Sequence, residues 1–280
     1  VKRVKVVADS ACDLPAPLLA KWDIHVVPLH VTVNGQDVSH LYTDPDAFWR
    51  LVEETGGRPT TAAPSPEQVK AVIEPLVEAG YEVVAIPLSA QLSTTYASFV
   101  QAAADYPQQV HVFDSASLSL GIGIQVLEAA RLAAEGSSSA DILAHLATVR
   151  ERVHLLAVLD TIEWADRGGR IAYLMPVIRR VARVFNVKVI LDVKGKVHFL
   201  GAQRSYRAAL RVLKEKALAL GPAHHLLVPH TRQHALAESL ADELAPALGV
   251  PREEVIVHEA GPILGAHVGP RAVGVVVHRR

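Results

Sequence analysis

The chain of 280 residues contains one cysteine, one methionine and few aromatic residues, 5% of the total. A single thiol, Cys12, excludes an internal disulfide and fits a reducing compartment, so a cytoplasmic location is expected. The aromatic shortage leaves the core to Val, Leu, Ile and Ala. It also removes the stacking platforms on which single-stranded nucleic acid is held, and no nucleic-acid partner is expected. Apolar runs such as Leu155–Leu159 are far too short for a transmembrane segment. The N-terminal Val1–Ala8 enters a strand pattern at once and does not read as a signal peptide. There is no Gly-Lys-Ser/Thr phosphate loop, no complete dinucleotide fingerprint at Gly121-Ile-Gly123, and no Gly-x-Ser-x-Gly elbow at Ser93 or Ser115. His230 and His234 are four apart but have no further ligand cluster beside them, so neither metal nor cofactor is expected.

What is present is half hydrophobic and 20% charged, as suits a well-packed globular protein. The net charge is −1, unevenly spread. Arg167–Lys216 holds 13 Lys and Arg against two acids, Asp192 and Glu215, so it carries +11 and the remainder −12. A basic segment of this size suits an anionic ligand or an acidic protein partner. Arg179, Arg180 and Arg183 fall on one face if the segment is helical.

The first half alternates strand and helix patterns. Strands are predicted at Val4–Ala8, Ile24–Pro28, Val31–Val33, Glu82–Pro87 and Val110–Phe113. Helices are predicted at Leu14–Lys21, from Asp44 or Pro45 to Glu54, at Glu67–Ala79, at Leu92–Ala104, at Leu120–Glu135 and from Ser138 or Ser139 to Arg150. Gly56–Pro66, with two glycines and three prolines, reads as a loop. This rhythm with apolar strands indicates a parallel sheet covered on both faces. In the second half, strand patterns at His154–Leu159, Val187–Val193, Lys196–Leu200, His225–Pro229, Glu254–His258 and Val273–His278 surround helices at Val177–Val184, Ser205–Leu220 and Gln233–Leu248. The expected architecture is α/β with two domains: a parallel-sheet domain over 1–152 and a mixed-sheet α+β domain over 153–280.

Leu88–Ser98 carries the strongest chemical signal. Its hydroxyls Ser89, Ser93, Thr94 and Thr95 stand where a strand hands over to a helix N-terminus, and there free N–H groups and the helix dipole favour an anion. No Asp, Glu, His or Lys lies within the stretch to activate a serine, which favours an anion receptor over a hydrolase. Thr60–Pro66, Asp9-Ser10, Asp114-Ser115 and Gly261–Pro270 are turns of similar style. In open α/β folds such turns converge outside the carboxyl ends of the strands. His267 lies between Gly265 and Gly269, in a segment too short and Gly/Pro-rich for an ordinary helix. Arg170 follows Gly168-Gly169, which permit close backbone approach.

Six segments in order resemble the DegV family, fatty-acid-binding proteins of the FakB type. They are Ala8-Asp-Ser-Ala-Cys-Asp-Leu-Pro15, Thr61-Ala-Ala-Pro-Ser-Pro66, Ser89-Ala-Gln-Leu-Ser-Thr-Thr-Tyr96, Phe113-Asp-Ser-Ala-Ser-Leu-Ser-Leu-Gly-Ile-Gly123, Gly168-Gly-Arg-Ile171 and Gly261-Pro-Ile-Leu-Gly-Ala-His-Val-Gly-Pro270. The resemblance implies two α/β domains with a lipid tunnel between them, holding a long-chain fatty acid such as palmitate. It implies that Thr61 and Ser93 hydrogen-bond the carboxylate, with His267 and Arg170 near it and Thr94, Ser89 and Arg204 as weaker candidates. It implies a carrier that presents the acid to a separate fatty-acid kinase, for which the basic 167–216 region is the expected docking face. The chain departs from the family pattern at Gln91, Thr94, Ala266 and Arg271. The alternative function is a serine-dependent acyl ester hydrolase using Ser93 and His267.

Overall fold

The N-terminal pattern of short apolar strands alternating with helices builds an all-parallel sheet, because each crossover returns the chain to the same end of the sheet before the next strand begins. In the computed structural model, which describes residues 3–280 apart from 168, 170, 177 and 179–186, this sheet has the order β2-β1-β6-β7. Its strands are β1 (Val4–Asp9), β2 (His25–Val27), β6 (Glu82–Ile86) and β7 (Val110–Val112). Helices α3 (Pro66–Glu78) and α4 (Thr95–Ala103) cover one face. Val69, Ile73, Phe99 and Ala102 pack there against Val7, Val27, Val83 and Ala85. Helix α5 (Leu120–Ala134) lies against β1 and β6 and is buried at Leu120, Ile122, Ile124, Val126 and Ala129. Gly123 is what lets it approach: a Cβ there would sit 2.9 Å from the Cys12 carbonyl and from Leu14. Helix α6 (Ser139–Arg152) closes this half.

The segment read as a loop at Gly56–Pro66 is corrected. It contains strand β5 (Pro59–Ala62), which pairs antiparallel with β3 (His30–Val33). With β4 (Gln36–Asp37) it makes a three-stranded sheet of order β4-β3-β5. Pro59 is tolerated because it is the first residue of an edge strand. Helix α3 then opens on a complete capping box: the Gln68 N–H donates to Ser65 Oγ at 3.3 Å, and the Ser65 N–H donates to Gln68 Oε1 at 2.8 Å. It runs through Pro75 without ending. The other helices of this half are α1 (Ala16–Lys21) and α2 (Pro45–Thr55).

The second half forms a mixed six-stranded sheet of order β10-β9-β8-β13-β11-β12. Its strands are β8 (Val153–Leu159), β9 (Lys188–Lys194), β10 (Lys196–Gln203), β11 (Ala223–His230), β12 (Ile256–Glu259) and β13 (Val273–Arg279). Alternate residues Leu156, Val158, Leu226, Val228, Val273, Val275 and Val277 form one core with helices α8 (Tyr206–Leu218) and α9 (His234–Leu248). The hairpin at Lys194-Gly195 turns on Gly195 at φ 72°. A short helix, α7 (Glu163–Arg167), follows β8, and α10 (Pro262–Val268) precedes β13. The helix expected over Val177–Val184 falls largely outside the described residues.

The chain divides into two units. The first is Val1–Glu151 with Gly261–Ile263, and the second is Arg152–Ala260 with Leu264–Arg280.

Candidate functional site

Three hydroxyl-bearing turns leave the carboxyl ends of β1, β6 and β7, and buried carboxylates knit them together. Asp9, the last residue of β1, is fully buried. One oxygen accepts the Ala11 N–H at 2.9 Å, opening the turn Ser10–Cys12, and the other accepts the Leu88 N–H at 2.7 Å. Asp13 ends that turn in the left-handed region at φ 51°. Its carboxylate accepts the Ser119 hydroxyl at 2.6 Å and the Gly261 N–H at 2.8 Å. The β6 and β7 turns are joined by Ser89 N–H to Ser117 O, 3.0 Å, and by Ala90 N–H to Asp114 Oδ1, 3.2 Å. Arg150 donates to the Asp114 carbonyl at 3.1 Å and lies 4.8 Å over the Phe113 ring, fixing the β7 turn from behind.

Burial pushes the carboxyls of Asp9 and Asp13 up to about 7, against an ordinary value of 3.8, and outweighs the hydrogen bonds that favour their charged forms. The Asp9 charge raises Asp13 further. Burial likewise pushes the Cys12 thiol well up, so it is not a thiolate nucleophile. The backbone here is strained: Asp13, Ala116 and Ser119 all hold φ near +50°. Such conformations cluster where surrounding structure over-determines them, often at binding sites.

Ser93 and Ser89 come together in the β6 turn. The Ser93 N–H donates to the Ser89 carbonyl at 3.2 Å. Half-buried Ser93 accepts the Thr95 N–H at 3.2 Å and shares a 2.9 Å bond with the Thr95 hydroxyl, so its oxygen stands at the opening of α4. Ser89 is fully buried, and its hydroxyl accepts the Gln91 N–H at 3.2 Å. Thr94 is exposed at the helix start with no capping bond. Thr61 is half-buried on β5, opposite Val31 of β3, in the three-stranded sheet and not in a turn of the parallel one.

His267 is half-buried in the last turn of α10. A seven-residue helix forms here despite the glycines, because Pro262 supplies a helical φ at its start and Gly269 takes φ 70° at its end. Arg204 is exposed in the bend after β10. Arg170, Arg179, Arg180 and Arg183 lie outside the described residues. Within the basic segment, Lys188 is buried and paired with Asp160 at 2.8 Å, and Lys214 pairs with Glu243 at 2.6 Å. Among the described residues, no group of His, Cys, Asp and Glu could hold a metal, and no helix is long and apolar enough to cross a membrane.

Sequence reasoning missed the framework role of Asp9, Asp13 and Asp114. The available signal was an acid at the end of β1 and another just past β7, Asp9 and Asp114, each followed at once by a serine.

The family model described as "Uncharacterised protein, DegV family" matches residues 3–280. The chain belongs to the DegV family. A DegV domain-containing protein of Caldanaerobacter subterraneus is 30% identical over 98% of both chains. A DegV protein of Thermus thermophilus, described as binding fatty acid, is 30% identical with TM-score 0.85, covering 99% of this chain and 100% of that one. DegV of Bacillus subtilis, described as a fatty acid binding protein, is 25% identical with TM-score 0.85 over 100% of both. The parallel-sheet and mixed-sheet halves are therefore the DegV fold.

Proposed function

We propose that this DegV protein binds a long-chain fatty acid such as palmitate, holds its carboxylate at the hydroxyl turns and carries the acid without consuming it. The observation that carries this reading is the whole-length likeness to the Thermus thermophilus protein described as binding fatty acid. The local geometry supports it. Ser93 presents a half-buried hydroxyl at a helix opening, where a carboxylate is favoured. Thr61 and Ser93 are assigned to the carboxylate, with His267 and Arg170 beside it and Thr94, Ser89 and Arg204 in secondary roles.

Burying a methylene contributes about 0.8 kcal/mol, so the tail of palmitate supplies about 12 kcal/mol gross. Ordering costs offset several kcal/mol of that. A hydroxyl donated to a carboxylate adds about 1.5–3 kcal/mol. The tail therefore dominates affinity, and the polar contacts fix which end enters and where it stops.

Hydrolysis would require a general base within reach of Ser93. Its hydroxyl is instead bonded to Thr95, which favours retention over turnover. Presentation of the bound acid to a separate kinase, docked on the basic 167–216 region, completes the proposal. Mass spectrometry of the organic extract of the purified protein tests binding directly. A stoichiometric long-chain acid supports it, whereas an empty extract together with no uptake of added palmitate refutes it. Release of alcohol from activated acyl esters would replace the carrier with a hydrolase.

A further inference from the structure

We propose that Asp13 is a positioning residue for His267: its carboxylate, oriented by Ser119, fixes the backbone at Gly261 and with it the start of the helix that carries His267. This rests on the reading above in which His267 attends the bound carboxylate. Asp13 and Gly261 are 248 positions apart, yet Oδ1 of Asp13 accepts the Gly261 N–H at 2.8 Å. The other oxygen is held by the Ser119 hydroxyl at 2.6 Å, so the carboxylate cannot swing away. Gly261, Pro262 and Ile263 are all buried and belong with the first unit, although the residues on either side do not.

The seat is tight. A Cβ on Gly261 would lie 3.0 Å from Asp13 Oδ1 and 3.4 Å from the Tyr42 carbonyl. Pro262 has no N–H, so the Gly261 N–H is the last backbone donor before α10, and without Asp13 it would be buried unpaired. The far end of α10 is fixed independently. The Gly269 carbonyl accepts the Thr231 hydroxyl at 2.7 Å, and a Cβ on Gly269 would come within 2.5 Å of the Trp164 ring. Asp13 thus sets where the seven-residue helix begins, and His267 stands in its last turn.

The test compares Asp13→Ala and Asp13→Asn with wild type. Asparagine keeps an oxygen for the Gly261 N–H and offers an N–H to Ser119. In ligand-free protein, Asp13→Ala should speed amide hydrogen exchange across residues 262–268 at least about tenfold, and Asp13→Asn should restore it to within about threefold. Palmitate affinity should fall about tenfold in Asp13→Ala and recover in Asp13→Asn, and the loss should vanish in a His267→Ala background. Unchanged exchange in Asp13→Ala overturns the proposal whatever the lipid result, as does an affinity loss that persists without His267. Wild-type protein that fails to bind palmitate refutes the lipid reading and the role given to His267 together, while faster exchange would still show Asp13 holding α10. If Asp13→Ala does not fold, Gly261→Ala displaces the same contact and should give the same exchange and affinity changes.

Discussion

Replacing Asp13 by asparagine should reshape the stability of the protein against pH. The carboxyl is fully enclosed, and burial raises it from 3.8 to about 7. The folded state therefore holds a proton that the unfolded chain releases near pH 4. Stability from this group is complete below the unfolded value and is lost as pH rises through the folded one. The rise from 3.8 to about 7 corresponds to about 4 kcal/mol once both states are ionised. Asparagine has no proton to lose and can satisfy both partners, Ser119 and Gly261. The variant should match wild type to within about 1 kcal/mol near pH 4 and exceed it by up to about 4 kcal/mol near pH 8. Urea unfolding at several pH values reads the difference directly. The Asp9 charge also raises Asp13, so the comparison is repeated in an Asp9→Asn background to isolate Asp13. A wild type that gains stability over the variant as pH rises, or a gap that does not change with pH, would show that the bonds to Ser119 and Gly261 hold the carboxyl charged and that burial does not dominate.

Ser93→Ala and Thr61→Ala should each weaken palmitate binding by about 1.5–3 kcal/mol, measured by calorimetric titration. Ser93→Ala should also cost about 1 kcal/mol of stability, because it removes the acceptor for the Thr95 N–H. Unaltered affinity in both variants would remove these residues from the headgroup site. Gly269→Ala should destabilise by about 3 kcal/mol or more, since φ 70° and the Trp164 ring both oppose a side chain; a Tm equal to wild type would contradict the packing described. Neutralising Arg179, Arg180 and Arg183 together should slow transfer of the acid to a kinase while leaving palmitate affinity unchanged. An equal transfer rate would dismiss the basic segment as a docking face.

Most elements were legible because their signals are local. Apolar runs such as Leu155–Leu159 announce buried strands, and the apolar spacing of Val69, Val72, Ile73 and Leu76 announces a helix. Strand β5 was not, because Gly56, Gly57, Pro59, Pro64 and Pro66 all punctuate the chain there, and only pairing with β3 makes the segment extended. The serine and threonine turns stood out by composition. Their scaffold did not: whether Asp13 is a solvated turn residue or a buried acceptor is decided by Ser119 and Gly261, far along the chain, and no neighbouring pattern encodes that. The helix around His267 was hidden for a related reason, since its glycines argue against helix while its ends are secured by Asp13 and Thr231.

The three-residue excursion Gly261–Ile263 bears on how this protein can be dissected. A fragment ending at residue 151 would omit the amide that Asp13 accepts and leave a buried oxygen facing nothing, so truncation there should yield an aggregation-prone piece. Hybrids between relatives that exchange the front half would inherit mismatched partners unless those three distant positions travel with it.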